Sequence, residues 1–274
     1  MPDGQPIDSI KHPAVAEARQ EVGEFRAADA TAFLVDGYRL VSRALEADAP
    51  IDKLFFLEPV EGAKYRRLWQ RALEKGIRPM VLTRGVFFKV LALGYETSVR
   101  VLAVVNRPPS ADATRFVAPG GCFLVGEEIQ DPRNVGVMVR TADACGAPCA
   151  VFTRDSADPW CRAAVRSSTG SIFRVPIALA ANLDEYLTVL KGEGVRVIGT
   201  SAHADEPCWR ADLSGPCTVV LGNESAGVSD AVREVCDAFV TIPMRGGADS
   251  FNVTTAAAIL LYEALRQRQV GGAR

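Results

Sequence analysis

The residues best placed to do chemistry gather at three loop-to-helix junctions. The last is Arg245-Gly-Gly-Ala-Asp-Ser-Phe-Asn252, a Gly-rich loop that follows the apolar run Ala238–Met244 and opens onto an apolar-striped helix from Val253 to about Arg268. The Ser250 hydroxyl and the Asn252 amide stand at a helix start, beside spare backbone N–H donors, which suits ligand binding. Upstream lies Gly222-Asn-Glu224-Ser-Ala-Gly227-Val-Ser229. Its glycines permit close backbone approach to a flat or extended ligand, a carboxylate follows two residues after Gly222, and Ser229 caps a helix. The earliest junction is Gln130-Asp-Pro-Arg-Asn134, leading into a helix that ends near Cys145-Gly146. Asn134 suits the N-cap and Gly146 the stop. Arg140, six residues on, is off the face of the cap, but its long side chain leans back toward the helix start. Taken singly, each junction also fits a capped helix with surface side chains. Neither the dinucleotide Gly-x-Gly-x-x-Gly pattern nor a phosphate loop ending in Gly-Lys-Ser/Thr occurs.

The elements that must carry these junctions alternate along the chain. Residues 9–27 read as a helix with Ser9 as cap and Val15, Ala18 and Val22 on one face. Strands are expected at 32–35, 51–57, 79–82 and 99–105, and helices at 38–47, 65–75 and 84–91. Together they make a small α/β/α domain over residues 9–106, preceded by a loose tail at 1–8. Residues 107–119, opening Arg107-Pro-Pro-Ser-Ala-Asp, read as a linker. Past it the pattern restarts. Strands are expected at 122–125, 150–152, 196–200, 218–221 and 238–242, and helices at 134–145, 159–167, 183–192, 229–235 and 253–268. Such alternation predicts a parallel, twisted sheet covered on both faces over residues 120–274.

Bulk properties narrow the classes. The 274 residues are enough for one large or two ordinary domains. No apolar stretch approaches bilayer-spanning length, and the N-terminal residues lack the basic and apolar regions of a secretory signal. Seven Cys without a Cys-x-x-Cys pair fit reduced, mostly buried thiols in the cytoplasm. The two His, His12 and His203, lack ligand spacing, so no metal site is expected. With a net charge of −2, nucleic-acid binding would need a local basic patch. Lys64-Tyr65-Arg66-Arg67 and Arg39/Arg43 are the candidates, although the residue pattern alone favours a solvated helix face.

Three stretches in this order and spacing resemble the SpoU (TrmH-like) group of the SPOUT superfamily of S-adenosylmethionine-dependent RNA methyltransferases. They are D-P-R-N-V-G-V-M-V-R-T-A, V-L-G-N-E-S-A-G-V-S and I-P-M-R-G-G-A-D-S-F-N-V-T-T-A-A-A-I-L-L-Y-E. The run Val165 to Ile177 is similar to the segment between the first two motifs of that group. Residues 9–106, chiefly F-L-V-D-G-Y-R-L-V-S-R-A-L, resemble the ribosomal-protein-like RNA-binding domain that often precedes the catalytic one. The resemblance implies a Rossmann-like domain with a C-terminal trefoil knot, a homodimer with the catalytic site at the subunit interface, and S-adenosylmethionine as cofactor. It implies cofactor contacts at Leu221, Gly222, Ile242, Met244 and Phe251, with Thr200 a further candidate. It also implies a catalytic set of Asn134, Arg140, Glu224, Ser250 and Asn252. Phe251 stands where Leu is commoner, Arg133 where Gly is frequent, and Gly126-Glu-Glu-Ile129 differs from the usual apolar-acidic stretch.

The implied reaction is methylation of a ribose 2′-hydroxyl in RNA, with rRNA favoured over tRNA because of the N-terminal domain. Arg140 is commonly cast as proton acceptor in this group. A guanidinium with a pKa above about 12 has no lone pair to offer while charged. An electrostatic role, holding RNA phosphate and stabilising the developing alkoxide, is physically easier. Glu224 is expected to orient Asn134 or Arg140. Other readings are a tRNA 2′-O-methyltransferase, an antibiotic-resistance rRNA methyltransferase, a noncatalytic RNA-binding or assembly factor that keeps the fold, and a small-molecule methyltransferase.

Overall fold

The computed structural model describes residues 5–24, 30–91 and 98–271. Along the chain come α1 (Pro13–Glu24), β1 (Ala32–Asp36), α2 (Tyr38–Glu46), β2 (Ile51–Leu57), α3 (Ala63–Glu74), β3 (Met80–Leu82), α4 (Arg84–Leu91) and β4 (Val101–Asn106). After a 3₁₀ turn at Ala113–Phe116 follow β5 (Cys122–Gly126), α5 (Pro132–Cys145), β6 (Ala150–Thr153), α6 (Arg162–Ser168), β7 (Ile177–Ala180), α7 (Leu183–Gly192) and β8 (Arg196–Thr200). The chain continues through β9 (Glu206–Pro207), β10 (Cys217–Leu221), α8 (Asp230–Val235), β11 (Ala238–Thr241) and α9 (Val253–Gly271). Two compact units result: Met1–Pro108 with Trp160–Phe173, and Pro109–Pro159 with Arg174–Arg274. The segment 160–173, read from sequence as part of the second domain, groups with the first.

In the first unit the described strands run β1-β4-β2-β3, with β4 antiparallel to both neighbours and β2 parallel to β3. The strands are apolar nearly throughout because both faces are covered. One face sets Leu34, Phe55 and Leu102 against Val15 and Ala18 of α1 and Phe87 of α4. On the other, α2 packs on β1 and β4, and Trp69 of α3 meets Phe56 at 5.1 Å between centroids. Ile7, expected in a loose tail, instead extends the sheet: its N–H donates to the Val81 carbonyl (2.8 Å), and its carbonyl accepts from Thr83 N–H (3.0 Å). The first helix begins at Pro13 rather than after Ser9, since proline at a first helical position forfeits no hydrogen bond. Its expected end, residues 25–27, and residues 1–4 of the tail lie outside the described residues.

Asp36, at the end of β1, is only 3% exposed. Its carboxylate is met by Arg162 Nη2 at 2.7 Å, Arg162 Nε at 3.2 Å and Arg166 Nη1 at 2.8 Å. A buried carboxylate is tolerable only when paired in this way. Phe173 adds a stacked contact to Phe33 at 6.3 Å. These contacts explain why residues 160–173 belong with the first unit.

The second unit is the parallel sheet expected from strand–helix alternation. Its order among the described strands is β7-β6-β5-β10-β8-β11-β9, every pair parallel. Leu183, Leu187 and Leu190 of α7 and Val232 of α8 pack against Phe123, Val125, Val197 and Val220. Helices α5 and α9 pack on each other, and both touch β5. Strands β7 and β9 were not read from the sequence, being four and two residues long at the sheet's two edges. No two Cys are joined by a disulfide. Burial pushes the Cys149 thiol up to about 12 and that of Cys236 to about 11, so both stay protonated at neutral pH. Among the described residues no helix is long and apolar enough to cross a membrane.

Removing a partner from Asp36 tests the anchoring of residues 160–173. Arg162→Ala is expected to cost about 2 kcal/mol in chemical denaturation. Asp36→Asn should cost less in that background than in the unaltered chain, because the two groups act as one unit.

Candidate active site

Parallel strands aim their carboxyl ends at one edge of the sheet, and here the chain builds outward from β5 in two directions. Strands β6 and β7 extend one way; β10 and β8 lie on the other side. Such a reversal leaves a crevice beyond the strand ends. A cavity of about 470 Å³ lies there, within the range of small-molecule sites. Thr200 ends β8, Leu221 ends β10 and Gly222 follows it, Ile242 and Met244 follow β11, and Phe251 stands before α9; all six line this cavity. The sequence-based cofactor candidates, from three separated stretches, are therefore brought together. Their surfaces are mixed. Leu221 is buried, Phe251 is 40% exposed, and Thr200 Oγ1 is committed as donor to the Val220 carbonyl at 2.9 Å.

The loop after β10 is closed on itself. Asn223 and Gly227 exchange backbone hydrogen bonds in both directions, at 3.0 and 2.9 Å. The Asn223 side chain completes the turn: Oδ1 accepts from Ser225 and Ala226 N–H at 2.9 and 3.0 Å, and Nδ2 donates to the Glu128 carbonyl at 3.0 Å. A Cβ on Gly222 would lie 2.1 Å from the Gly227 carbonyl carbon, which no side chain can occupy. Gly227 itself has φ +72 and open space around it. Glycine is thus required at 222 by contact and favoured at 227 by backbone conformation.

Of the catalytic candidates, Glu224, Ser250 and Asn252 line the same cavity. Asn134 does not, but its Nδ2 donates to Glu224 Oε1 at 2.9 Å, and Gln130 N–H approaches Glu224 Oε2 at 3.4 Å. One carboxylate therefore ties the first junction to the second. Asn252 Oδ1 accepts from Thr254 N–H (2.9 Å) and Oγ1 (2.6 Å), the geometry of an N-cap for α9. Its Nδ2 and the Ser250 hydroxyl have no partner among the described residues. Arg140 stands apart. It is exposed on α5, its guanidinium makes no hydrogen bond or ion pair among the described residues, and it is not among the cavity-lining residues. Six residues of helix set its Cα about 9 Å along the axis from that of Asn134.

One expectation changes. Asp131, not Asn134, caps α5: its carboxylate accepts from Arg133 N–H at 2.8 Å, and Pro132 takes the first helical position. Asn134, moved into the first turn, is free to reach Glu224. The Arg133 side chain returns to Asp131 (Nε at 3.1 and 3.2 Å), which holds that carboxyl below its ordinary range. Arg133 thus tightens the turn. Two positioning residues escaped the sequence reading. One is Asn223, whose type between two glycines is the available signal. The other is Glu127, 6% exposed, which accepts from Ser229 N–H (3.0 Å) and Oγ–H (2.5 Å) and so ties the end of β5 to the start of α8. No periodic or turn signal marks Glu127. Among the described residues no group of His, Cys, Asp or Glu could hold a metal ion.

Comparison with known proteins bears on this geometry. The family model described as "SpoU rRNA Methylase family" matches residues 121–262, which contain the whole cavity lining. The chain is 32% identical over 256 residues to the 23S rRNA (guanosine(2553)-2'-O)-methyltransferase RlmP of Bacillus subtilis, covering 93% of this chain and 97% of that one. It is 34% identical over 248 residues to a 23S rRNA (uridine(2479)-2'-O)-methyltransferase of Streptomyces viridochromogenes, covering 87% and 84%. Among solved structures, the SpoU methyltransferase AviRb of Streptomyces viridochromogenes in complex with AdoMet superposes with a TM-score of 0.82 at 30% identity, over 94% of this chain and 99% of that one. By the match of the family model and of these near full-length relatives, this chain belongs to the SpoU rRNA methylase family.

Proposed function

We propose that this chain is an S-adenosylmethionine-dependent RNA methyltransferase that methylates a ribose 2′-hydroxyl, with ribosomal RNA as substrate. The observation that carries the reading is the convergence of six separated cofactor candidates on one cavity, with Glu224, Ser250 and Asn252 on its wall. Relatives named as 23S rRNA 2′-O-methyltransferases match both units at near full length, which favours rRNA over tRNA. The cofactor fits the residues present. The cavity has adequate volume, and Gly222 lines it while its lack of a side chain lets the turn close against Gly227. Leu221, Ile242, Met244 and Phe251 offer apolar contact, and Thr200 lies at the edge.

When bound, S-adenosylmethionine supplies a sulfonium methyl as electrophile. The protein's task is to align a hydroxyl with it, exclude water and accommodate the released proton. Asn252 and Ser250 offer free polar groups to ribose or cofactor. Glu224 orients Asn134. Arg140 holds a phosphate of the RNA and stabilises the oxygen as it loses its proton. Because Arg140 does not line the cavity of its own chain, the same reading makes the active unit a homodimer in which one copy's Arg140 serves its partner. The outward sides of α5 and α9, with Val137, Ala144, Ala258 and Tyr262 at 64% exposure, offer an apolar surface for such pairing. The proposal extends to a trefoil-knotted C-terminus, a cytoplasmic location, and the first unit as the RNA-binding part, joined through residues 107–119.

Transfer of labelled methyl from S-adenosylmethionine to rRNA of a strain lacking this protein tests the reading, with the modified ribose mapped. Failure to methylate any cellular RNA despite binding it would favour a noncatalytic assembly factor. Arg140→Ala should lower turnover roughly 100-fold and leave cofactor affinity unchanged. If Arg140 is instead the proton acceptor, a high-pH step in the rate profile will vanish in that variant alone. Gly222→Ala should cost about 2 kcal/mol of stability and abolish cofactor binding. Gly227→Ala, strained but unobstructed, should cost about 1 kcal/mol and keep it. Mixing inactive Arg140→Ala and Asn252→Ala chains should restore part of the activity if the site is shared between copies.

A further inference from the structure

Charge is unevenly distributed along α2 and α3. At their C-terminal halves the cations are matched: Arg71 pairs with Glu46 at 3.3 Å, and Lys75 pairs with Asp48. At their N-terminal ends they are not. Arg39 in α2, and Lys64, Arg66 and Arg67 in α3, are exposed and form no ion pair among the described residues. Glu58 and Glu61 sit in the loop ahead of α3, yet neither pairs with them. Asp36, next to the start of α2, is buried beneath Arg162 and Arg166 and adds no negative charge to the surface.

This placement opposes helix stability. A helix N-terminus carries partial positive charge and favours acidic residues. Neither α2 nor α3 has an acidic residue in its first turn, and neither has a side-chain cap. Basic residues stand there instead. A local rule broken twice at adjacent sites marks a function served at the expense of stability. The rings of Tyr38 and Tyr65 meet edge to face at 5.8 Å, and the Lys64 ammonium lies over both, 5.4 and 5.0 Å from their centroids. That cradle holds Lys64 in place and lowers the ordering cost of binding. Unpaired cations interleaved with aromatic rings suit a nucleic-acid strand better than a folded acidic protein.

We propose that the N-terminal ends of α2 and α3 form a docking surface for the phosphate backbone of the RNA substrate, with Lys64, Arg66, Arg67 and Arg39 as its phosphate contacts and Tyr38 and Tyr65 as the support of Lys64. The inference rests on the RNA methyltransferase reading and adds where the first unit takes hold of its substrate. Binding here is independent of base sequence and sensitive to salt.

The test is filter binding of the full-length chain to an unmodified 23S rRNA transcript over a range of salt concentrations. The triple variant Lys64→Ala/Arg66→Ala/Arg67→Ala should bind roughly tenfold more weakly, and the slope of log K against log salt should fall by about 2 to 3. Its affinity for S-adenosylmethionine should be unchanged. Its melting temperature should be equal or higher, since the removed charges oppose the helix dipole. A loss of RNA affinity that arises from unfolding would instead show as a lowered melting temperature, and would overturn the assignment. The control Arg71→Ala/Lys75→Ala removes matched cations from the other end and should leave the slope as it was. A wild-type protein that methylates rRNA, with the same slope in the triple variant, overturns the inference and leaves the enzyme reading intact. A wild-type protein that neither binds nor methylates rRNA overturns both. Retained RNA affinity with lost binding to poly-glutamate would assign the patch to an acidic protein partner and also overturn it.

Discussion

The approach of the Gly222 backbone to Gly227 is the constraint on which the candidate site depends. With 2.1 Å between a notional Cβ and the Gly227 carbonyl carbon, the chain after β10 can fold back only if residue 222 carries no side chain. That return lets Asn223 and Gly227 exchange hydrogen bonds. It places Glu224 where it meets Asn134 of α5, and it delivers Val228 and Ser229 to the start of α8. Gly222, Asn223 and Glu224 thus each have one task in sequence: make room, close the turn, tie the turn to its neighbour. The cavity wall beyond β10 follows from that order, because Leu221 to Gly227 line it.

Three carboxylates, Asp36, Glu127 and Glu224, join segments distant in sequence. Asp36 gathers Arg162 and Arg166, more than a hundred residues away. Glu127 receives both donors of Ser229, and Glu224 receives Asn134 and Gln130. Asp36 and Glu127 are almost fully buried, where an unpaired charge would be strongly disfavoured. Only the correctly assembled chain satisfies them, so they reward one arrangement over its competitors. This is a role in specificity of structure, distinct from any large net gain in stability.

What could be read from sequence follows the range over which each cause acts. Apolar periodicity and turn chemistry act within a few residues, so the strand–helix alternation, the Ser229 cap and the three junctions were legible. The cap of α5 was misplaced by three residues. Asp131, Asn134 and Pro132 all carry helix-start signals, and the decision lay in Pro132 taking the first helical position. Strands β7 and β9 exist through pairing with β6 and β11, and their own sequences are too short to declare it. Glu127 and the grouping of residues 160–173 with the first unit depend on partners far along the chain. The family resemblance supplied the site residues, and the structure adds which of them touch.

Arg140 is the catalytic candidate that stands apart from the cavity. Every other catalytic candidate either lines the cavity or is tied by a hydrogen bond to a residue that does. Arg140 sits six residues along α5 from Asn134, with its guanidinium unpartnered among the described residues. A guanidinium costs little to keep in water, so its exposure alone decides nothing. Its position is on α5, which packs against α9, and that helix pair also exposes Ala144, Ala258 and Tyr262. A cation beside an apolar patch is a common composition for the middle and rim of a contact surface. If a second copy covers that patch, Arg140 is carried toward a cavity that is not its own. The separation seen within one chain is what the proposed shared site calls for.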